Sequence, residues 1–153
     1  MGVDAILIAS ISGVKLLSRH YGAGLANTEA TLLLERSIAK LASFTTGSTT
    51  KKVTKRCMRV GNHSVVFQAS GELVVFLVGS DQDGDEIILA EALDVVLKLL
   101  EEHLEKTPFT TAQFLNPDCL GKMSVSIDEL VCEGEIENLD VDSILKLSKM
   151  KSL

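Results

Sequence analysis

Two short segments of the chain, Ala5–Ala9 and Leu73–Val78, consist entirely of apolar residues. Apolar runs of this length, bounded by turn residues, are typical of internal strands that are covered on both faces of a sheet. After the first run, residues 10–13 have the composition of a turn, and apolar and polar residues alternate partially through Val14–Tyr21. The pattern therefore predicts an opening β-hairpin and an internal strand at Leu73–Val78.

A helix and two further strands are predicted between these two apolar runs. Apolar residues recur at helical spacing over Thr28–Phe44, which predicts a helix there. Thr45–Lys55 follows as a polar segment rich in Thr, Ser and Lys, a composition that favours a mobile loop. Shorter apolar segments at Cys57–Val60 and Ser64–Ala69 predict strands.

The segment Glu86–Glu105 predicts a long helix with an unusually wide apolar surface. At 100° per residue, six polar side chains fall within an arc of about 100° of its circumference. These are Glu91, Asp94, Lys98, Glu101, Glu102 and Glu105. A surface helix normally needs an apolar stripe only somewhat wider than such an arc. Either a second helix of the chain or another protein must therefore cover the rest.

Two apolar edges flank the polar arc of this helix. One edge consists of Ile88, Val95 and Leu99, and the other consists of Ala90, Leu97 and Leu104. We predict that one edge faces a protein partner and that the other edge faces the domain's own core.

The last third of the chain predicts helices after a break at Thr107-Pro108, since proline cannot continue a helix. Asp118–Glu133 has helical spacing, and Gly134 suits the residue that follows a helix end. Asp140–Ser152 predicts a last short helix. The predicted order is β-β-α-β-β-β-α-α plus a short C-terminal helix, an α/β (α+β) arrangement in a single domain over residues 1–153.

The charge of the chain is distributed unevenly. The overall net charge is −6, but residues 1–70 carry +6 and residues 71–153 carry −12. A basic cluster lies at the end of the polar loop, where the cations are Lys51, Lys52, Lys55, Arg56 and Arg59. This cluster is either a solvated segment or a contact for an acidic protein surface or anionic membrane headgroups. It is too small and too poor in aromatic residues for a nucleic-acid platform.

Patterns for catalysis, metal binding and cofactor binding are missing or incomplete. The acidic segment Asp81–Glu86 starts like a calcium loop, but Glu86 and Ala92 stand where such a loop needs Gly and Glu. The three histidines are not at metal-ligand spacing, and the three cysteines are odd in number and far apart, as expected of reduced thiols. No apolar run reaches the length of a membrane span, and no secretion signal is evident. We expect no enzymatic activity, no cofactor and no small-molecule substrate.

Three segments carry a resemblance to a known family. Ala5–Ile8 with Val14–Tyr21 resembles the opening hairpin of the coatomer zeta subunit, and Val65–Ser80 resembles the strand pair that follows in that subunit. Ile127–Ile136 is similar to the signature that ends the last core helix of zeta and sigma subunits. Through these segments, nearly the whole chain resembles the clathrin adaptor small chain and coatomer zeta family. Because the connecting loops diverge from the family pattern, three branches stay open: coatomer zeta, an adaptor sigma chain and the TSET/TPLATE small subunit.

The resemblance implies a longin-like fold, with a five-stranded, mostly antiparallel sheet flanked by helices, and a non-enzymatic role. Small subunits of this family bind the helical solenoid of a large subunit and assemble with a medium subunit into a vesicle coat, which Arf-type GTPases recruit to membranes. The implied location is cytoplasmic, peripheral on Golgi vesicles or on coated pits of the plasma membrane. Two alternatives are a longin- or roadblock-type platform that regulates a small GTPase, and a small enzyme with a cryptic site.

Overall fold

A computed structural model describes residues 3–21, 32–40, 56–60, 63–80, 86–104 and 109–151 of the chain. The strands of the main sheet are β1 Ala5–Ser10, β2 Lys15–His20, β3 Arg56–Val60, β4 His63–Ser70 and β5 Leu73–Ser80. The helices are α1, which covers residues 32–40, α2 Glu86–Leu104, α3 Thr111–Leu115, α4 Pro117–Leu130 and α5 Val141–Lys151. Two short strands, β6 Val131–Cys132 and β7 Glu135–Ile136, form a separate hairpin.

The five strands pair in the order β2-β1-β5-β4-β3, and every pairing is antiparallel. β5 is the central strand, and β1 lies beside it with Leu7 opposite Phe76. All of β1 and residues 73–79 of β5 are buried, which confirms that the two fully apolar runs form internal strands. The predicted opening hairpin is confirmed by the pairing of β1 with β2.

The sheet separates two apolar clusters, because neighbouring side chains of a strand point to opposite faces. On one face, Leu73, Val75 and Leu77 of β5 pack with α2, α4 and α5, and we call this the helix-layer face. On the other face, Val74, Phe76 and Val78 pack with α1, and we call this the α1 face. A sheet with helices on both faces is the longin-like α/β arrangement that the sequence predicts.

The predicted helix Asp118–Glu133 is wrong at its C-terminal end. α4 stops at Leu130, and Val131 is already extended. Glu133 and Gly134 have φ values of 51° and 84°, which is the pattern of a primed two-residue hairpin turn between β6 and β7. The amide of Val3 donates to the Gly134 carbonyl at 2.7 Å, so this hairpin is attached to the N-terminal segment.

The short helix α3 is an element that the sequence pattern did not predict. Thr110 caps its N-terminus by accepting a hydrogen bond from the Gln113 amide, and the Gln113 side chain accepts from the Thr110 amide. This reciprocal pair is a capping box. Asn116 ends α3 and also caps α4, whose first residue is Pro117. The predicted last helix is confirmed as α5, which begins within a residue of the predicted start.

The helix predicted over Thr28–Phe44 is described in its central part, where residues 32–40 are helical. The predicted mobile loop Thr45–Lys55 and the predicted break at Thr107-Pro108 lie outside the described residues.

Candidate partner interface

α2 is the central helix of the helix-layer face. It contacts β4 and β5 beneath it and α4 and α5 beside it. Its buried side chains include the fully enclosed Leu93, Val96 and Leu100. The sequence required either a second helix or another protein to cover the wide apolar surface of this helix, and α4 and α5 of the same chain cover it.

The six residues of the two predicted partner edges differ in accessibility. Val95, Leu97, Leu99 and Leu104 are all buried within the chain. Ile88 and Ala90, near the N-terminal end of α2, are half-buried. Contact of either edge with another protein stays a prediction. Of the six residues, Ile88 and Ala90 are the ones that are partly accessible to a partner.

The exposed side of α2 is acidic, with one apolar exception. Glu91, Asp94, Glu101 and Glu102 are exposed, and α2 as a whole carries five carboxylates and one lysine. At its N-terminal end, Ile87 is 71% exposed. Accessible apolar surface on α2 is therefore concentrated at the end where the half-buried residues of the two edges also lie.

Only two residues of the predicted basic cluster belong to the part of the chain that the structure describes. Lys51, Lys52 and Lys55 lie outside the described residues. Arg56 and Arg59 belong to β3, the strand at one end of the sheet order. Contact of this cluster with a membrane or an acidic partner stays a prediction.

The outer surface of α1 is a second accessible region, and sequence reasoning missed it. Leu32 and Leu33 are 46% and 65% exposed, whereas Leu34 is buried against the sheet. Arg36 and Lys40 are exposed on the same helix. Three consecutive leucines in a helix point in directions 100° apart, so they cannot all face one core. That sequence signal could have identified this surface.

Ion pairs attach two of the helices to the edge strand β2. Glu35 of α1 accepts from Lys15 Nζ at 3.2 Å and lies 2.9 Å from His20 Nε2. Arg19 of the same strand pairs with Asp128 of α4 at 3.5 Å. β2 thus connects to a helix on each side of the sheet.

A chain of hydrogen bonds connects α2, α4 and α5. His103 Nε2 lies 3.0 Å from Ser126 Oγ, which lies 3.1 Å from Ser148 Oγ. The Ser148 hydroxyl donates to the Ile144 carbonyl at 2.7 Å, so Ser148 accepts from Ser126 and Ser126 accepts from His103. This order assigns a proton to Nε2 of the imidazole. Burial, followed by the charge of Lys122, lowers the pKa of His103.

Two further side chains in the described part of the chain have shifted pKa values. Burial raises the pKa of the Cys119 thiol, and burial together with Asp128 raises the pKa of Tyr21. The three cysteines, all within described residues, form no disulfide. Within the described residues, no group of three or more His, Cys, Asp or Glu side chains could hold a metal ion. No described helix is long and apolar enough to cross a membrane.

Comparison with known proteins gives one family. The family model for the clathrin adaptor complex small chain matches residues 2–153. Comparison with curated protein sequences gave no significant match.

Two solved structures are similar to the chain in backbone arrangement. One is a chain in a homology model of the full-length AP-3 complex in a stretched open conformation. It has a TM-score of 0.68 and 12% identity, covering 98% of this chain and 93% of that one. The other is a Roadblock/LC7 domain from Streptomyces avermitilis, with a TM-score of 0.42 and 12% identity over 69% of this chain and 88% of that one. At 12% identity, the first likeness shows a shared fold.

Proposed function

Because the chain belongs to the family of clathrin adaptor complex small chains, we propose that it is a non-enzymatic small subunit of a heteromeric vesicle coat. The observation that carries this proposal is the match of the family model over residues 2–153. The fold supports it, since the backbone of this chain matches that of a chain in the AP-3 homology model with a TM-score of 0.68 over 98% of this chain and 93% of that one.

In the finer proposal, the coat is either of the coatomer zeta type or of the TSET/TPLATE type that acts in clathrin-mediated endocytosis. The resemblance of the opening hairpin and of Val65–Ser80 to coatomer zeta supports the first, and the divergence of the connecting loops supports the second. The chain then binds the helical solenoid of a large subunit and assembles with a medium subunit. It acts on the cytosolic face of Golgi vesicles or of the plasma membrane, where Arf-type GTPases recruit the coat.

Affinity purification of the tagged chain from its own cells, followed by mass spectrometry, tests this proposal. The expected result is recovery of a large solenoid subunit and a medium subunit, and their identities tell whether the chain is of the zeta, sigma or TSET/TPLATE branch. Recovery of small GTPases alone, or of the chain alone, would overturn the proposal. The tag expressed without the chain is the control for nonspecific recovery.

For the contact with the large subunit, we propose the N-terminal end of α2, where Ile87 is exposed and where Ile88 of one edge and Ala90 of the other are half-buried. One of the two edges meets the partner there. Obligate interfaces bury large apolar side chains, and a new carboxylate there would be desolvated without a partner. Ile87→Asp should therefore reduce recovery of the large subunit at least tenfold while leaving the circular dichroism spectrum unchanged. Leu115→Asp, at another exposed apolar residue, is the matched control. Equal recovery with both variants would contradict the α2 contact.

A further inference from the structure

The outer surface of α1 combines aliphatic and cationic side chains in a way that a solvated helix does not require. Leu33 is the most exposed of its three consecutive leucines, and Arg36 follows it one turn later on the same side of the helix. Lys40 lies a further turn along. We call Leu32, Leu33, Arg36 and Lys40 the α1 surface. Contiguous exposed apolar surface with a polar rim marks an interaction site.

A groove runs between α1 and the sheet beside this surface. Leu7 and Phe76 of the sheet and Ile38 of α1 line its apolar part. Leu32 and Arg36 border it, so the groove and the α1 surface are continuous. Leu7, Ile38 and Phe76 form the nearly buried floor of the groove, so its accessible border is formed by Leu32 and Arg36. A partner's aliphatic side chain would meet the leucine there, and a neighbouring carboxylate would meet the arginine.

The cationic side chains around the groove differ in whether a carboxylate within the described part of the chain already pairs with them. Lys15 is paired with Glu35 at 3.2 Å, so its charge is matched within the chain. Arg36 and Lys40 have no ion pair with any residue that the structure describes. The α1 surface thus presents two positive charges that no described residue matches, beside apolar side chains, and a complementary partner is acidic as well as apolar.

We propose that the α1 surface binds an amphipathic helix of the large subunit, with an apolar stripe flanked by Asp or Glu side chains. One aliphatic residue of that helix meets Leu32 at the border of the groove, and its carboxylates pair with Arg36 and Lys40. This inference rests on the proposed function, because it takes the partner to be the large subunit, and it adds a second contact to the one proposed on α2.

Two features favour a protein helix over an anionic membrane. Electrostatic membrane docking generally uses clusters of four to eight Lys or Arg side chains, and the α1 surface has two. The groove bordered by Leu32 and Arg36 is a site of fixed shape for a partner's side chain, whereas a bilayer surface presents no side chain of fixed position.

The positions of α1 and α2 fit a solenoid as the source of that helix. The two helices lie on opposite faces of the sheet. A partner that contacts both must curve around the domain. Helical solenoids have extended concave surfaces of this kind, which contact a ligand with several successive helices. The α1 surface and the N-terminal end of α2 then meet different helices of one solenoid.

A double variant with a matched control tests the α1 surface in the full-length tagged chain. Leu33→Gln with Arg36→Glu removes one exposed leucine and reverses one charge on α1. Leu147→Gln with Lys146→Glu likewise replaces an exposed leucine by glutamine and reverses one positive charge, on α5 at the opposite side of the sheet. Glutamine keeps the helix propensity close to that of leucine. We expect the α1 variant to lower recovery of the large subunit at least tenfold and the α5 variant to change it less than twofold.

The outcomes separate this inference from the proposed function. If wild-type chain recovers no coat subunit, the proposed function fails and the inference fails with it. If wild-type chain recovers the large subunit and the α1 variant recovers it equally well, the inference alone is overturned. Flotation of the purified chain with phosphatidylserine vesicles is the second measurement. Binding to those vesicles that the α1 variant loses, with assembly unchanged, would assign the surface to a membrane and overturn the inference.

Discussion

The two faces of the sheet are covered in different ways. Among the described residues, the cluster on the helix-layer face contains 24 buried apolar residues, whereas the cluster on the α1 face contains ten. On the helix-layer face, α2 is enclosed by the sheet and by α4 and α5. On the α1 face, Leu34 and Ile38 are the buried residues of α1, and the outer side of that helix exposes leucines and cations. On the helix-layer face most of α2 is enclosed by other helices of the chain, whereas on the α1 face the outer side of α1 is accessible.

The largest expected effect comes from truncating one buried leucine on each face. Leu100→Ala should lower the free energy of unfolding by about 3–5 kcal/mol, because Leu100 is fully enclosed and the cavity cannot collapse. Leu34→Ala should cost about 2–3 kcal/mol, because Leu34 lies close to solvent and its site can relax. Both are Leu→Ala changes in helices, so the propensity difference is the same for each. Urea unfolding measures both, and equal or reversed losses would contradict the difference in packing.

Two glycines at turns allow a second comparison of the faces. Gly71 has φ +61°, and a Cβ there would lie 2.5 Å from the carbonyl oxygen of Phe109, which packs into the helix-layer cluster. Gly13 has φ +94°, but a Cβ there would lie 3.5 Å from Ala39 of α1, an ordinary contact.

Alanine at these glycines should therefore act unequally. Gly13→Ala adds backbone strain of about 1–2 kcal/mol. Gly71→Ala adds strain and also forces the Phe109 backbone away, for a total of about 3 kcal/mol. Thermal unfolding of the two variants gives the comparison. A loss at Gly13 as large as that at Gly71 would show that backbone strain, and not the close approach of Phe109, determines both.

A smaller effect is expected from the ion pairs of the two faces. Glu35→Gln removes the carboxylate that joins α1 to Lys15 and His20 of β2, and should cost about 0.5–1 kcal/mol at low salt. Lys122→Gln removes an exposed pair with Asp118 inside α4, and should cost at most about 0.5 kcal/mol. Urea unfolding at low and high ionic strength measures both. If salt changes neither difference from the wild type, these pairs do not contribute electrostatically.

The strands and long helices could be predicted from the sequence, because the spacing of apolar residues within each segment determines whether it forms a strand or a helix. The apolar runs in β1 and β5 are short enough for strands and lack the polar positions of a surface segment. The end of α4 was missed because its cause is not local. Val131–Ile136 turns back as a hairpin whose Gly134 carbonyl accepts from the distant Val3 amide. A sequence pattern in one helix contains no information about that contact.

The candidate interface was predictable only in part, because it too depends on contacts between distant parts of the chain. The pattern showed that α2 needs cover on most of its circumference, but not whether the chain or a partner supplies it. In the structure, Leu99 and its neighbours are enclosed by the chain itself. The accessible leucines of α1 were missed because the spacing of apolar residues was interpreted only as the buried side of the helix. Since successive residues in a helix point 100° apart, Leu32 and Leu33 must point away from the direction of Leu34.

The stability of the helix-layer face should depend on pH, because this face contains His103, a histidine with a lowered pKa. Burial and Lys122 lower the pKa of His103 in the folded chain, and Lys149 adds to this in the same direction. Glu102 and Asp118 oppose it without reversing it. The neutral imidazole is therefore favoured by folding, whereas the unfolded chain has the ordinary pKa of about 6.5.

The sign of the resulting pH dependence follows from which state binds the proton first. As pH falls through about 6.5, the unfolded chain takes up a proton that the folded chain still refuses, so stability declines until the pH reaches the lower folded pKa. His103→Gln keeps a donor for Ser126 but cannot titrate, and should lose this part of the decline. Urea unfolding of both proteins at pH 7.5 and pH 5.5 measures it, with the other histidines, His20 and His63, common to both. A variant whose stability falls with acidification as much as that of the wild type would place the pH-sensitive group elsewhere. A smaller fall would show that this part of the decline comes from protonation of His103.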